Sequence, residues 1–391
     1  VEVIGVSSGP LALSLDVSAV PVRPAGAGYY TMELARGLGA RVDIAMTMVS
    51  RRGDEERWVG LTADTARVVG AVPVSRPSRL LFEQVRFPHL LGSIGVEVHH
   101  GPHYTMPERS PVPCVVTIHD CTFFDHPEWH VRSKALLFRR AIRRASLQAG
   151  ALVCVSEVTA TRLQACCEVR APIVVAPHGV DHRRFTSLEP APGADAAILE
   201  ASGVPQDRPL VSFVGTLEPR KGVDSLIAAF DRVADTQREA VLVLGGQVGW
   251  GLAGIERALA AARHGDRIIR TGYLPDAAVP ALLRRSTVVA YPALEEGFGL
   301  PALEALACGA PLITTEGTAM AEMAQGAANL VRPGDVGGLA DALALALEAG
   351  KEATEAKRRQ ALGLSVAARF TWAASVEKHV GAYQVASGAS Q

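Results

Sequence analysis

The stretch TVVAYPALEEGFGLPALEALACG, Thr287 to Gly309, decides how this chain is read. Its first seven residues form a short β-branched apolar run, as expected of a buried parallel strand. Pro301 suits the first position of a helix, and the helix then reads PALEALAC and stops at Gly309, a residue that accepts the left-handed C-terminal conformation. Between strand and helix, Gly297 and Gly299 permit positive φ and close approach by a guest at the electropositive helix start. The loop is therefore ready to receive an anion. Glu296 and Glu304, with seven residues between them, fall in the loop and near the helix's first turn, where both can face one pocket. A lone glutamate on a helix is usually a solvated surface group. A pair with FGLP inside it is less easily dismissed.

Upstream, PLVSFVG (Pro209 to Gly215) is a strand that runs into TLEPRKGVDSLIAAF, a loop and a helix. Arg220 and Lys221 sit in that loop. Two adjacent cations at the carboxyl end of a strand and the N-terminus of a helix ask for an anion, and a diphosphate is the natural guest. VLVLGG, RIIRTGYL and PLITT continue the same sheet. The chain opens in a similar way, with LALSLDV (Leu11 to Val17) ahead of PAGAGYYTMELARGLGA, in which a helix starts near Gly28 and ends near Gly39. The dinucleotide fingerprint would place three glycines tight against the strand, whereas Gly26 and Gly28 come nine residues or more after Val17 and Thr31 holds the third position. A nicotinamide cofactor is disfavoured.

Between these ends, VDIAMTM, VEVHH, PCVVTIHD, ALVCVS and PIVVAPHGVD are short apolar runs separated by helical stretches, the alternation of a parallel α/β sheet. Polar residues at the carboxyl ends of such strands point into a ligand crevice, which singles out His119, Asp120, His178 and Asp181. The loop after His119, with Phe124 and His126, is dense in His, Asp and aromatics. His99, His100, His103, His119 and His126 suggest metal ligation, but a spacing such as H-x3-H is absent.

The E-x7-E string, with a GFG turn after its first glutamate and a small-residue helix carrying its second, resembles retaining glycosyltransferases of family 4, which have the GT-B fold. The resemblance runs from about Leu11 to the end and implies two facing Rossmann-like domains with parallel sheets: 1–190 on the acceptor side, completed by a C-terminal crossover helix at 372–391, and 191–371 for the nucleotide sugar. It implies that Glu296 meets the donor sugar and Glu304 the ribose hydroxyls. Gly297, Phe298, Gly299 and Leu300 would line the donor. GTLEPRKG resembles the phosphate-binding segment, with Arg220 and Lys221 on the diphosphate and Gly215 and Thr216 beside it; GAGYYT resembles the lid loop, with Gly26 and Gly28. His119 would contact a sugar hydroxyl. The catalytic set is then His119, Glu296, Arg220 and Lys221, with no metal and no cofactor beyond the nucleotide-sugar co-substrate.

The IHDCTFFDHPEWH loop looks most like members that transfer mannose or a related hexose, so GDP-mannose is the first expectation for the donor and a UDP-linked sugar the alternative. The acceptor would be a glycan, a glycolipid or a small molecule. Two readings of other classes stand beside this one: an NAD(P)-dependent Rossmann enzyme and a non-catalytic sugar-nucleotide-binding subunit.

Composition narrows the field. The 391 residues suit two domains, and 48% hydrophobic content with a net charge of -1 lacks the basic excess of a nucleic-acid binder. Six cysteines, with no C-x-x-C, read as reduced and mostly buried. No segment reaches the roughly 18 uninterrupted apolar residues of a membrane span, and no signal-peptide pattern opens the chain, so a cytoplasmic protein is expected. RSKALLFRRAIRRASLQAG, Arg132 to Gly150, carries six basic residues and no acidic one beside an apolar stripe of Val131, Ala135, Phe138, Ile142, Ala145 and Ala149. It reads as an amphipathic helix, either an ordinary helix of the first domain with its apolar stripe on the sheet and its arginines solvated, or one that makes a peripheral contact with the inner face of a membrane.

Overall fold

The computed structural model describes residues 9–349, except 23 and 25, and residues 354–388. The chain forms two units, one comprising the sequence up to Gly179 and again from Trp372, the other Val180–Thr371.

The first unit is built on a seven-stranded parallel sheet: β1 (Leu11–Asp16), β2 (Ile44–Arg51), β3 (Arg67–Val72), β4 (Val98–Gly101), β5 (Cys114–Ile118), β6 (Ala151–Cys154) and β7 (Ile173–Val175), in the order β3-β2-β1-β4-β5-β6-β7. Every residue of β4, β5 and β6 is buried, as strands covered on both faces must be. The Ala27–Gly39 helix turns Tyr30, Leu34 and Leu38 inward at a four-residue spacing. The Trp372–Ser387 helix does the same with Val376, His379, Val380 and Tyr383, so the last helix of the chain completes the first core.

The second unit has six parallel strands, β8 (Leu210–Val214), β9 (Val241–Gly245), β10 (Ile268–Gly272), β11 (Val288–Tyr291), β12 (Leu312–Thr315) and β13 (Ala328–Val331), in the order β10-β9-β8-β11-β12-β13. Strand order reverses between β8 and β11, and ligands of open α/β sheets bind at such a switch point. The loops leaving those two strands carry Arg220 with Lys221 and Glu296.

Two of three expectations need correction, and one lies partly outside the described residues. The boundary falls at Gly179/Val180 rather than after 190. The Val180 amide donates to the Phe370 carbonyl at 3.1 Å, Arg184 Nη2 to the Asp276 carbonyl at 3.0 Å and Arg284 Nη1 to the Thr186 carbonyl at 3.0 Å, which fastens 180–186 to the second unit. Residues 389–391 of the expected last helix lie outside the described residues. The third concerns the basic helix, which runs Arg132–Gln148 with Ala135, Ile142 and Ala145 buried, whereas Val131 stands outside it as N-cap and is 70% exposed. Its cationic face is largely occupied: Arg139 Nε donates to the Phe123 carbonyl at 2.6 Å, Arg140 and Arg144 pair with Glu108, and Arg143 lies over Phe124.

Candidate active site

In the second unit the sequence motif closes on itself. Gly222, with φ 64°, caps the Val223–Val233 helix, and a Cβ there would lie 2.1 Å from the Pro292 carbonyl oxygen, so only glycine lets the RKG turn approach the β11 loop. The Leu294 amide then donates to the Arg220 carbonyl at 2.8 Å. Gly299, with φ 91°, starts the Leu300–Ala307 helix where a Cβ would meet Met320 at 2.2 Å. These two close approaches bring the side chains together. Arg220 Nη1 lies 3.2 Å from Glu296 Oε2, Lys221 Nζ bonds the same oxygen, and Arg220 Nε lies 2.7 Å from Glu218 Oε1.

The electrostatics follow from this cluster. Burial alone would raise the Glu296 carboxyl, but the Lys221 and Arg220 charges and their hydrogen bonds outweigh it and hold Glu296 at about 2. Lys221 moves down, because desolvation and the neighbouring Arg220 charge outweigh Glu296. A cation under that pressure gains from a second anion. Glu304 is a contrast: burial pushes it up to about 7 against the pull of the Arg184 charge, and its carboxyl makes no hydrogen bond or ion pair among the described residues. Glu296 is engaged and charged; Glu304 is buried under the pull of Arg184 alone.

The first unit carries the remaining candidates. His119 follows β5, and its Nε2 donates to the Pro102 carbonyl at 2.8 Å, which fixes the neutral tautomer and leaves Nδ1 as an acceptor; burial lowers its pKa. Asp120 accepts from the amide and hydroxyl of Thr122, so it serves the short turn that follows. Phe124 lies under Arg139 and Arg143, and His126 stacks on Trp129 at 3.8 Å. Asp181 Oδ1 accepts from the Arg183 amide, and His178 is buried against Tyr30. Gly26 is the N-cap of the Ala27–Gly39 helix at φ 41°, and Gly28 is buried within it. Of the histidines weighed as metal ligands, His99 bonds Ser14 and His100 bonds Thr117 and Tyr383, and no group of three or more potential ligands occurs among the described residues. All six cysteines are free thiols; Cys166 and Cys167 are half-buried and the other four buried.

Comparison with known proteins bears on the family and the fold. The family described as Glycosyltransferase Family 4 matches residues 24–184, and that described as Glycosyl transferases group 1 matches residues 195–363. The two matches together span most of the chain, and both are to glycosyltransferase families. Among its relatives, the O-antigen chain mannosyltransferase B of Escherichia coli is 26% identical over 291 residues, 74% of each chain. The D-inositol 3-phosphate glycosyltransferase of Mycolicibacterium smegmatis is 32% identical over 238 residues, 57% of this chain and 52% of that protein, so about half of that relative's length is spanned. Sucrose-phosphate synthase from Thermosynechococcus elongatus superposes with a TM-score of 0.76 at 19% identity, covering 97% of this chain and 100% of that one. An Anabaena protein solved with UDP and glucose does so with a TM-score of 0.74 at 17% identity, covering 95% and 99%. The two parallel-sheet units are those of the GT-B fold, and the nicotinamide reading falls away with these glycosyltransferase matches.

Sequence reading of this glycosyltransferase passed over Glu218, Arg184 and Tyr30. Glu218 was visible, two positions from Arg220 in a loop where a carboxylate beside two cations invites pairing. Arg184 acts on Glu304 from a segment 120 residues away, and nothing local announces it.

Proposed function

We propose that this glycosyltransferase moves a hexose, mannose from GDP-mannose in the first instance, to a hydroxyl of a glycan, glycolipid or small-molecule acceptor, with retention at the anomeric carbon. The observation that carries the reading is the Arg220–Lys221 pair on the β8 loop, focused on one carboxylate oxygen at the switch point of the second sheet. Cleaving a sugar–diphosphate bond places negative charge on the leaving group. The two cations take that charge without a metal ion, and their release from Glu296 frees this carboxylate for the sugar and the cationic anomeric centre. Glu304 receives the ribose hydroxyls. In the other unit, His119 Nδ1 accepts from a sugar hydroxyl. The departing phosphate takes the acceptor's proton on the same face.

The Escherichia coli mannosyltransferase relative supports mannose, and the UDP-bound Anabaena structure keeps a UDP-linked sugar as the second reading. A thermal-shift series with GDP, UDP, ADP and NAD decides between them, since a ligand at 100 times its Kd adds about 2.7 kcal/mol. GDP is expected to give the largest shift. A larger shift with UDP would transfer the reading to the second donor, and a shift with NAD alone would overturn it.

The division between the carboxylates is tested by titration with free nucleoside diphosphate. Glu304→Ala is expected to weaken binding about tenfold, through loss of a buried hydrogen-bond acceptor. Glu296→Ala spares affinity, because it releases the two cations for the ligand, and depresses turnover instead. Equal losses in both variants would refute this division.

The acceptor is met near a membrane surface. No helix among the described residues is long and apolar enough to cross a bilayer. Where the Arg132–Gln148 helix begins, however, Val131 and Leu136 are 70% and 66% exposed beside Arg132 and Lys134. Sedimentation with vesicles rich in anionic lipid should rise at low salt and weaken when Arg132 and Lys134 become Gln, each basic residue contributing on the order of 1 kcal/mol. No lipid-dependent pelleting would leave a soluble acceptor.

A further inference from the structure

Five side chains of the first unit form a buried chain of hydrogen bonds whose proton order can be read from one end. His379 Nδ1 lies 2.7 Å from the Ser375 carbonyl, one turn back in its own helix, and a carbonyl only accepts. Nδ1 therefore carries the hydrogen. In the neutral imidazole Nε2 is then an acceptor, so the Tyr30 hydroxyl, 2.8 Å away, donates to it. Having spent its proton, Tyr30 Oη accepts from Thr117 Oγ1 at 2.7 Å. Thr117 Oγ1 accepts from His100 Nε2 at 2.8 Å, and His100 Nδ1 accepts from the Tyr383 hydroxyl at 2.8 Å. Each of these side-chain atoms has a partner, and burial holds both imidazoles neutral.

The chain starts and ends on the Trp372–Ser387 helix, and Tyr30 is the member bonded directly to His379. The ring of Tyr30 is fully buried and abuts His119 edge-on, with centroids 5.1 Å apart and planes at 82°. The same ring lies 4.8 Å from that of His178. His119 is thus held on one side by the Pro102 carbonyl and on another by a phenol ring that cannot be displaced without stretching the two hydrogen bonds at its hydroxyl.

We propose that Tyr30 is a positioning residue for His119 and that the C-terminal helix, through His379, holds Tyr30 in place. The last helix then does more than complete a core: it sets the direction in which the Nδ1 lone pair of His119 points. This inference rests on the reading of His119 as the group that meets the donor sugar, but its structural half stands apart from that reading.

The test uses the full chain labelled with ¹⁵N-histidine. Long-range ¹H–¹⁵N correlation reports the tautomer and environment of His119, assigned by its loss in His119→Ala. Transfer is followed as release of GDP from GDP-mannose, or of UDP from UDP-glucose, whichever the wild type turns over. Tyr30→Phe is expected to displace the His119 ring resonances and lower kcat about tenfold, as a small misplacement of a reacting group does. The KM for the donor should stay within about twofold. His379→Leu should reproduce both effects, and His379→Gln, which offers an amide oxygen near the position of Nε2, should restore them. Unchanged His119 resonances in Tyr30→Phe would overturn the proposal. Where Tyr30→Phe does not fold, indistinguishable His119 spectra in His379→Leu and His379→Gln would do the same. Wild-type kinetics in His119→Ala, with the Tyr30→Phe resonances still displaced, would instead refute the role of His119 and leave the positioning intact.

Discussion

Arg220→Ala is expected to lower kcat by about 10²-fold or more, the loss seen when a donor aimed at developing negative charge is removed. The guanidinium is placed to act on two sides, with Nε on Glu218 at 2.7 Å and Nη1 toward Glu296 at 3.2 Å. Without it, Lys221 alone faces Glu296, and the leaving diphosphate meets one cation in place of two. Arg220→Lys should recover only part of the rate, because an ammonium cannot span both directions as the planar fork does. Since the counter-charge is supplied by side chains, turnover should persist in excess EDTA. Loss of activity on chelation, restored by Mg²⁺ or Mn²⁺, would contradict the assignment of charge neutralisation to these residues.

The second large effect is a loss of stability in mild acid, confined to the first unit. His99, His100, His103, His119, His178 and His379 all lie there, and burial lowers each of them: His379 to about 4, His99 and His103 to about 3, His100 and His178 well below the ordinary 6.5. An imidazole whose folded pKa is depressed contributes its stability in full above the unfolded value, and that contribution is lost as pH falls from 6.5 through the folded value. For one such group the loss at pH 5 is on the order of 2 kcal/mol. Asp16 and Glu83 in the same unit act oppositely. Burial raises both, Glu83 to about 7, so their contribution grows as pH falls toward 4.5 and offsets part of the loss. Six imidazoles outweigh two carboxyls. In the second unit, Glu304 also gains on acidification, and Glu296 loses its contribution only below 4.5. Hydrogen exchange followed by mass spectrometry between pH 7 and 5 should therefore show 98–101, 114–118 and 372–387 losing protection before 210–214 and 288–291. The reverse order, or equal loss in both units, would overturn this account.

Much of the architecture could be read from the chain because buried parallel strands announce themselves. LVSFV, VLVLG and CVVTI are apolar along nearly their whole length and lie between helices. The two strands that escaped sequence reading, β3 and β13, each lie at a sheet edge, although the other two edge strands, β7 and β10, were legible. An edge strand pairs on one side and is covered less, so β3 is mostly half-exposed and contains Gly70, while β13 has only four residues, two of them buried. In the site, GTLEPRKG and EEGFG were legible because each packs its functional residues into a few consecutive positions. The link between Tyr30 and His379 was not: it joins residues 349 positions apart, and no spacing rule reaches that far. Nor could composition show that the arginines of the Arg132–Gln148 helix are engaged by Glu108 and by the carbonyls of Phe123 and Phe124. A helical wheel counts charges and leaves their partners out.

That the first unit is finished by the helix at Trp372–Ser387 sets the order in which the molecule can be made. A ribosome delivers β1 through β7 first, yet Val376, Val380 and Tyr383 belong to the core those strands need. At about 5–20 residues per second, the intervening 180–371 take ten seconds or more to synthesise. During that interval the sheet made first presents an open apolar face, while the unit made second has all of its own strands and can close. The earliest part of the polypeptide is therefore the last to become native, and it is the part that would need a chaperone's cover in the meantime.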